Sequence, residues 1–166
     1  MHHLIEKNAP LFTMRAVMPK AGIGKIDLAA YMEQKKWIIL LFYPGDFAIE
    51  TPAYITILSD RYEEFKRQQA ELIGISTDTI YTHLAWIQLD RQQGGVGPIH
   101  FPLASDRNFA VSTAYGVLNQ EIGMPIKTIF IIDPTGKIRY MKQYHRQIHY
   151  NVDEVLQVLS NLQKNE

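Results

Sequence analysis

A chain of 166 residues is long enough to bury one hydrophobic core and too short for two ordinary ones, so one domain over 1–166 is expected. Its 17 basic and 17 acidic residues cancel, which removes the long-range pull that a nucleic-acid or membrane-surface function would need. There is no cysteine, which excludes structural disulfides and every reaction that runs through a protein thiol.

The opening residues lack an apolar run long enough for a secretory signal, and no stretch reaches membrane-spanning length, so a cytoplasmic protein is expected. His2 and His3 read as a frayed terminus, and a hairpin region is expected around Thr13–Leu28, with Gly22-Ile23-Gly24-Lys25 as a turn. Trp37–Tyr43 is a continuous apolar run between Lys35-Lys36 and Pro44-Gly45, the pattern of a strand covered on both faces. After Thr51-Pro52, the residues Tyr54, Ile55, Leu58, Tyr62 and Phe65 fall on one face of a helix. Leu72–Ser76 reads as a second buried strand, and Ile80, Leu84 and Ile87 stripe a second helix. Gly94-Gly95-Val96-Gly97 lacks the strand-to-helix context of a dinucleotide fingerprint and is a loop.

A short strand is expected next, then a short helix through Phe109–Tyr115. Thr128–Ile132 and the more polar Lys137–Met141 form a hairpin about the turn Asp133-Pro134-Thr135-Gly136. Val152, Val155, Leu156, Leu159 and Leu162 mark the last helix, opened by Asn151 with Glu154 three residues on. Strands and helices alternate and the chain closes on a hairpin and a helix. That order predicts an α/β fold with a central mixed sheet and helices on both faces, the thioredoxin type of layout.

Motifs then narrow the reading. The loop after the first core strand reads Phe42-Tyr43-Pro44-Gly45-Asp46-Phe47-Ala48-Ile49-Glu50-Thr51-Pro52. Ala9-Pro10-Leu11-Phe12 precedes it, and Ser59–Phe65, Leu72–Asp78 and Thr82-His83-Leu84-Ala85-Trp86 follow. Gly94–Pro98, Pro102-Leu103, Tyr115-Gly116-Val117, Phe130–Pro134 and Val152-Asp153-Glu154 complete the series. In order and spacing, over nearly the whole chain, these segments resemble the peroxiredoxins, the alkyl hydroperoxide reductase C and thiol-specific antioxidant family, in its typical two-cysteine subgroup.

The departures from that resemblance carry the functional expectation. By the resemblance, the position before the helix-opening proline holds the peroxidatic cysteine, and here it is Thr51. The family threonine three residues earlier is Ala48, the arginine that lowers the thiol pKa aligns with Lys127, and the glutamate that steadies it falls at Tyr54. Of this active-site set only Pro44 matches, and the tail with the resolving cysteine would follow the last helix, where the chain stops at Glu166. Peroxide reduction needs a thiolate that accepts oxygen to become a sulfenic acid. A threonine hydroxyl stays protonated and has no such oxidation ladder. Thr51 reads instead as a helix cap ahead of a first-turn proline.

Other candidates are weighed against simpler readings. Glu50 places a charge where the family is apolar, and a Glu50–Lys127 salt bridge plugging the vacated pocket stands against a solvated Glu50. Glu50, Thr51 and Lys127 also mark the place where the helix end would hold a small anion. His145 and His149 have i, i+4 spacing but fall in a loop without an acidic partner, so no metal and no cofactor is expected. His83 and Trp86 are assigned to packing.

Three functions remain open: a pseudoenzyme with a binding or regulatory role, a small-anion or metabolite sensor, and an enzyme of different chemistry in the old pocket. Relatives in the family pair through an edge strand. The resemblance therefore implies a homo-oligomer, a dimer through residues 137–143, with Arg139, Tyr140, Lys142 and Tyr144 at the interface. An active peroxiredoxin is the other partner it suggests.

Overall fold

Every residue from Trp37 to Phe42 is buried, because this run forms the strand at the middle of the sheet, where both faces are covered. The computed structural model describes residues 4–20, 22–48, 51–145 and 147–165, with the backbone alone for Thr51. In chain order the elements begin with β1 (Thr13–Met18), β2 (Gly22–Asp27), α1 (Leu28–Glu33) and β3 (Trp37–Phe42). They continue with α2 (Thr51–Ser59), α3 (Tyr62–Arg67), β4 (Ala70–Ser76), α4 (Ile80–Gln88) and β5 (Leu103–Ser105). The series ends with α5 (Ala110–Ala114), β6 (Leu118–Asn119), β7 (Met124–Pro125), β8 (Thr128–Ile132), β9 (Ile138–Gln143) and α6 (Val152–Lys164).

Seven strands form one mixed sheet in the order β2-β1-β5-β4-β3-β8-β9, with β3, β4 and β5 parallel and the other pairings antiparallel. Alternation along β3 sends Ile39 and Leu41 to one face, where Tyr54 and Leu58 of α2, Phe65 of α3, Trp86 of α4 and Leu159 of α6 cover them. Ile38, Leu40 and Phe42 point the other way, to Leu28 of α1 and Val111 of α5. The expected α/β layout with helices on both faces is what forms. Asn151 caps α6 by accepting from Glu154 N at 3.1 Å, as the pattern predicts. Among the described residues no helix is long and apolar enough to cross a membrane.

Two expectations fail for definable reasons. The helix after Thr51-Pro52 is two helices, broken at Asp60-Arg61. At the break, buried Ser59 accepts from His100 N at 3.0 Å and the Asp60 carboxylate from Arg91 at 2.7 and 3.0 Å, so both side chains are tied to partners distant in sequence. Gly22–Lys25 is strand, not turn: the chain reverses just before Gly22, and Gly22 to Asp27 pair residue by residue with β1. The 3.6-residue pattern also continues through Phe65, so it gives no sign of the break.

The loop between β3 and α2 is held by a buried polar network. His83 Nδ1 lies 2.6 Å from Asp46 Oδ2, and His83 Nε2 lies 3.0 Å from the Ala104 carbonyl of β5. Both ring nitrogens face acceptors, so both carry protons and His83 is a cation. Tyr43 donates to the other Asp46 oxygen at 2.8 Å, while Asp46 N and Ser76 Oγ donate to Asp78 Oδ2 at 2.8 and 2.6 Å. His83 is therefore half of a buried ion pair, which corrects its assignment to packing alone.

Burial opposes the charge on His83, but its hydrogen bond to Asp46 and the negative charge there outweigh that and raise the imidazole above its ordinary 6.5. Burial also holds the Asp46 carboxyl above its ordinary value, against the pull of His83. Both directions mean that the folded state binds this proton more tightly than the unfolded chain. The stabilisation is thus fully present below pH 6.5 and is lost as pH rises through the raised value. His83→Gln leaves Asp46 buried without its cation, a loss of about 3–5 kcal/mol at pH 6. Denaturant unfolding of both proteins across pH 5–9 checks this, and the gap between them narrows toward alkaline pH.

Candidate functional site

The candidate site lies where the β3–α2 loop meets the residue before β8. Phe42 ends the central strand, Pro44 and Ala48 lie on the loop, and the backbone of Thr51 opens α2 with Pro52 in its first turn. A proline there gives up no intrahelical hydrogen bond, which is why a helix starts at this point. The side chain of Thr51 lies outside the described residues, and with it the expected cap bond. Glu50 lies outside them as well, and so does its expected pairing with Lys127.

Lys127 is 1% exposed, an unusual burial for a lysine. Its Nζ stands 3.5 Å from the centroid of the Tyr54 ring and 5.2 and 5.8 Å from those of Tyr150 and Tyr144. Three aromatic faces thus solvate the ammonium where water does not reach it, each contributing on the order of 1 kcal/mol or more. The cage is itself braced: Tyr54 packs edge-on against Tyr150 and against His149, Tyr144 crosses Tyr150 at 88°, and Tyr150 donates to the Phe42 carbonyl at 2.8 Å. Tyr144 N in turn donates to the Lys127 carbonyl at 2.9 Å.

Beside this cage opens a cavity of about 520 Å³, within the size range of small-molecule sites. Pro44, Ala48, Tyr54 and Lys127 all line it, so four of the five positions singled out in the sequence meet there. Its rim is apolar and open to solvent, formed by Ile122, Met124 and Ile126. With Ala48 in place of a hydroxyl, the loop side of the cavity offers no side-chain hydrogen bond at that position. Burial raises the Tyr144 and Tyr150 hydroxyls well above their ordinary pKa, so neither serves as a base near neutral pH.

Tyr144 and Tyr150 were not recognisable as site residues. Tyr144 was expected at a surface interface and is instead only 7% exposed, turned inward beside Lys127. The charged residues expected with it are also engaged within the chain. Arg139 bonds Glu6 and Asp133 at 3.2 and 3.3 Å, and Lys142 and Tyr140 bond Glu154 at 2.5 and 3.3 Å. The signal available was weak: two tyrosines six apart between a strand and a helix, with no periodicity to orient them.

His145 lines the cavity and His149 packs on Tyr54 at 5.5 Å between centroids, and neither belongs to a helix. Among the described residues one group has metal-ligand proximity, Asp46, Asp78 and His83, whose atoms lie within 4.8 Å of one another. Both His83 nitrogens are committed to acceptors and both carboxylates to donors, so hydrogen bonds already fill the places a cation would take.

Comparison with known proteins agrees with this geometry. The AhpC/TSA family matches residues 5–141. The chain is 48% identical over 160 residues to a putative peroxiredoxin, YkuU, of Bacillus subtilis, covering 96% of this chain and 89% of that one. It is 42% identical over 164 residues to a putative peroxiredoxin in the rubredoxin operon of Clostridium pasteurianum, covering 98% and 91%. Reduced 2-Cys peroxiredoxin of Plasmodium vivax superposes with a TM-score of 0.93 at 32% identity, over 97% of this chain and 82% of that one. Sequence, fold and the position of the β3–α2 loop converge: the chain belongs to the AhpC/TSA family of peroxiredoxins, as a member without a cysteine.

Proposed function

We propose that this protein is a cytoplasmic pseudoenzyme on the peroxiredoxin scaffold, folded as one domain over 1–166, which acts by association. The observation that carries the reading is the composition of the site. The chain has no cysteine, threonine stands at the start of α2, and alanine and an aromatic-caged lysine stand where the family supports a thiolate. A hydroxyl cannot take up peroxide oxygen reversibly. The partners that fit are a second copy, through the edge of β9 beyond Ile138, and a cysteine-bearing peroxiredoxin. β9 pairs with β8 on one side, and Glu6 and Lys7 bond Ile138 on the other at 2.8 and 2.9 Å, so the stretch Tyr140–Lys142 is the part of this edge that faces another chain.

One observation favours a second reading, a metabolite sensor in the vacated pocket. The cavity of about 520 Å³ joins an apolar rim to a buried ammonium, the chemistry of a small carboxylate with an apolar body.

Three measurements bear on these readings. Wild-type protein consumes no hydrogen peroxide with thiol reductants, and Thr51→Cys alone stays about 10²-fold or more below a cysteine-bearing relative, because Ala48 donates nothing and Lys127 lacks the forked donor of an arginine. Rapid turnover by that variant refutes the claim that the site is dismantled. In native mass spectrometry at micromolar concentration the purified chain is a dimer, or joins a cysteine-bearing relative in a stoichiometric complex; a monomer in both mixtures sinks the association reading. For the second reading, benzoate at a hundred times its dissociation constant adds about 2.7 kcal/mol of stability. Lys127→Met abolishes that gain, and an unchanged melting temperature up to high millimolar benzoate removes the sensor.

A further inference from the structure

We propose that a second cleft, between the outer face of β1, the first turn of α4 and the β5–α5 connection, binds a phosphate monoester carried on an aromatic body, such as a nucleoside monophosphate. The cleft measures about 340 Å³ and shares no lining residue with the cavity beside Lys127. It therefore stands independently of the function proposed above.

The argument begins with uncompensated charge. Arg15 on β1 and Arg107 after β5 both line the cleft, and among the described residues neither forms an ion pair. Arg15 also stands directly opposite Lys25 in the β1–β2 register, both exposed. Like charges facing each other across a strand pair are destabilising, so this arrangement gains from an anion between them.

The nearby acids are spent elsewhere. Asp106, next to Arg107, accepts from Val111 N and Ser112 N at 3.1 and 2.7 Å. Asp78 accepts from Asp46 N and Ser76 Oγ, and Asp27 caps α1 through Ala29 N at 3.1 Å. No carboxylate lines the cleft. Arg15 and Arg107 thus share one cleft, with Lys25 beside Arg15, and among the described residues no carboxylate pairs with either arginine.

Geometry then selects the ligand. Arg107 Nη1 donates to the Thr77 carbonyl at 2.6 Å, which fixes the guanidinium plane and keeps the remaining donors of its fork for an outside acceptor. Two guanidinium groups lining one cleft suit the several oxygens of a phosphate better than the two of a carboxylate. Tyr81, in the first turn of α4 and also lining the cleft, is 65% exposed. An exposed ring beside a phosphate-binding pair is a stacking surface for a nucleobase or similar group. The amino end of α4 adds its dipole in the same sense.

Isothermal titration of the full 166-residue chain tests the assignment with three probes: adenosine monophosphate, inorganic phosphate and adenosine. Adenosine monophosphate binds saturably, phosphate binds more weakly, and adenosine gives no signal. Arg15→Gln and Arg107→Gln each weaken the monophosphate about tenfold, the scale of one charged hydrogen bond. Tyr81→Ala weakens the monophosphate and leaves phosphate unchanged, and Arg67→Gln on α3 changes neither. Arg15 makes no side-chain bond among the described residues, so its variant keeps the fold even if loss of Arg107 loosens the loop at Thr77. Silence of both monophosphate and phosphate at millimolar concentration overturns the site, as does unchanged affinity in Arg15→Gln. Equal binding of phosphate and monophosphate, with Tyr81→Ala silent, overturns the aromatic part of the ligand.

Discussion

The ion pair between Asp46 and His83 is the interaction on which the site's geometry depends. A carboxylate and an imidazolium 2.6 Å apart, both side chains fully buried, are tolerable only because every remaining donor and acceptor is also matched. Tyr43 completes the carboxylate, Ala104 completes the imidazolium, and Asp78 holds the backbone of Asp46 itself. The pair thereby joins three elements: the end of β3, the interior face of α4 and the short strand β5. Once Asp46 is fixed, few residues remain before α2 begins, so the network and the first-turn Pro52 together set the helix start.

From that frame the position of Lys127 follows. It immediately precedes β8, which pairs with β3, so the end of β3 and the start of β8 lie side by side, Phe42 opposite Thr128. Whatever residue occupies 127 must face the loop and α2. A buried ammonium in that place needs solvation, and the protein supplies it with ring faces from α2 and from the segment between β9 and α6. Tyr54 stands where the resemblance puts an acidic residue, and its ring lies 3.5 Å from the Lys127 ammonium.

Much of this was legible in the sequence because burial leaves a periodic trace. The apolar run at 37–42, the run at 128–132 and the amphipathic stripe of α6 each gave their element within a residue or two, since all three bury a continuous face. What stayed hidden depends on partners distant in the chain. The break at Asp60-Arg61 coincides with bonds to His100 and Arg91, the strand character of Gly22–Asp27 is set by β1, and the inward turn of Tyr144 by Lys127. His83 looked like an apolar-face histidine because its acidic partner lies 37 residues earlier, on a loop. Of the candidate site, the positions were readable through family resemblance, whereas the aromatic cage was not, because tyrosines on an irregular segment carry no orientation of their own.

The two kinds of residue in this loop also bear different loads, and that difference explains how a peroxiredoxin fold persists without its chemistry. Asp46, Asp78, Ser76 and His83 hold the loop and do not line the cavity, while Ala48 and Lys127 line it. A cysteine at the start of α2 contributes to stability no more than another small residue followed by proline. Loss of His83, by contrast, strands a buried carboxylate in the structure that every other part of the site is built upon. Selection on folding alone therefore preserves the network and releases the reactive positions, and the chain bears the mark of that asymmetry: the polar scaffold is fully satisfied around a cavity relined by alanine, tyrosine and lysine.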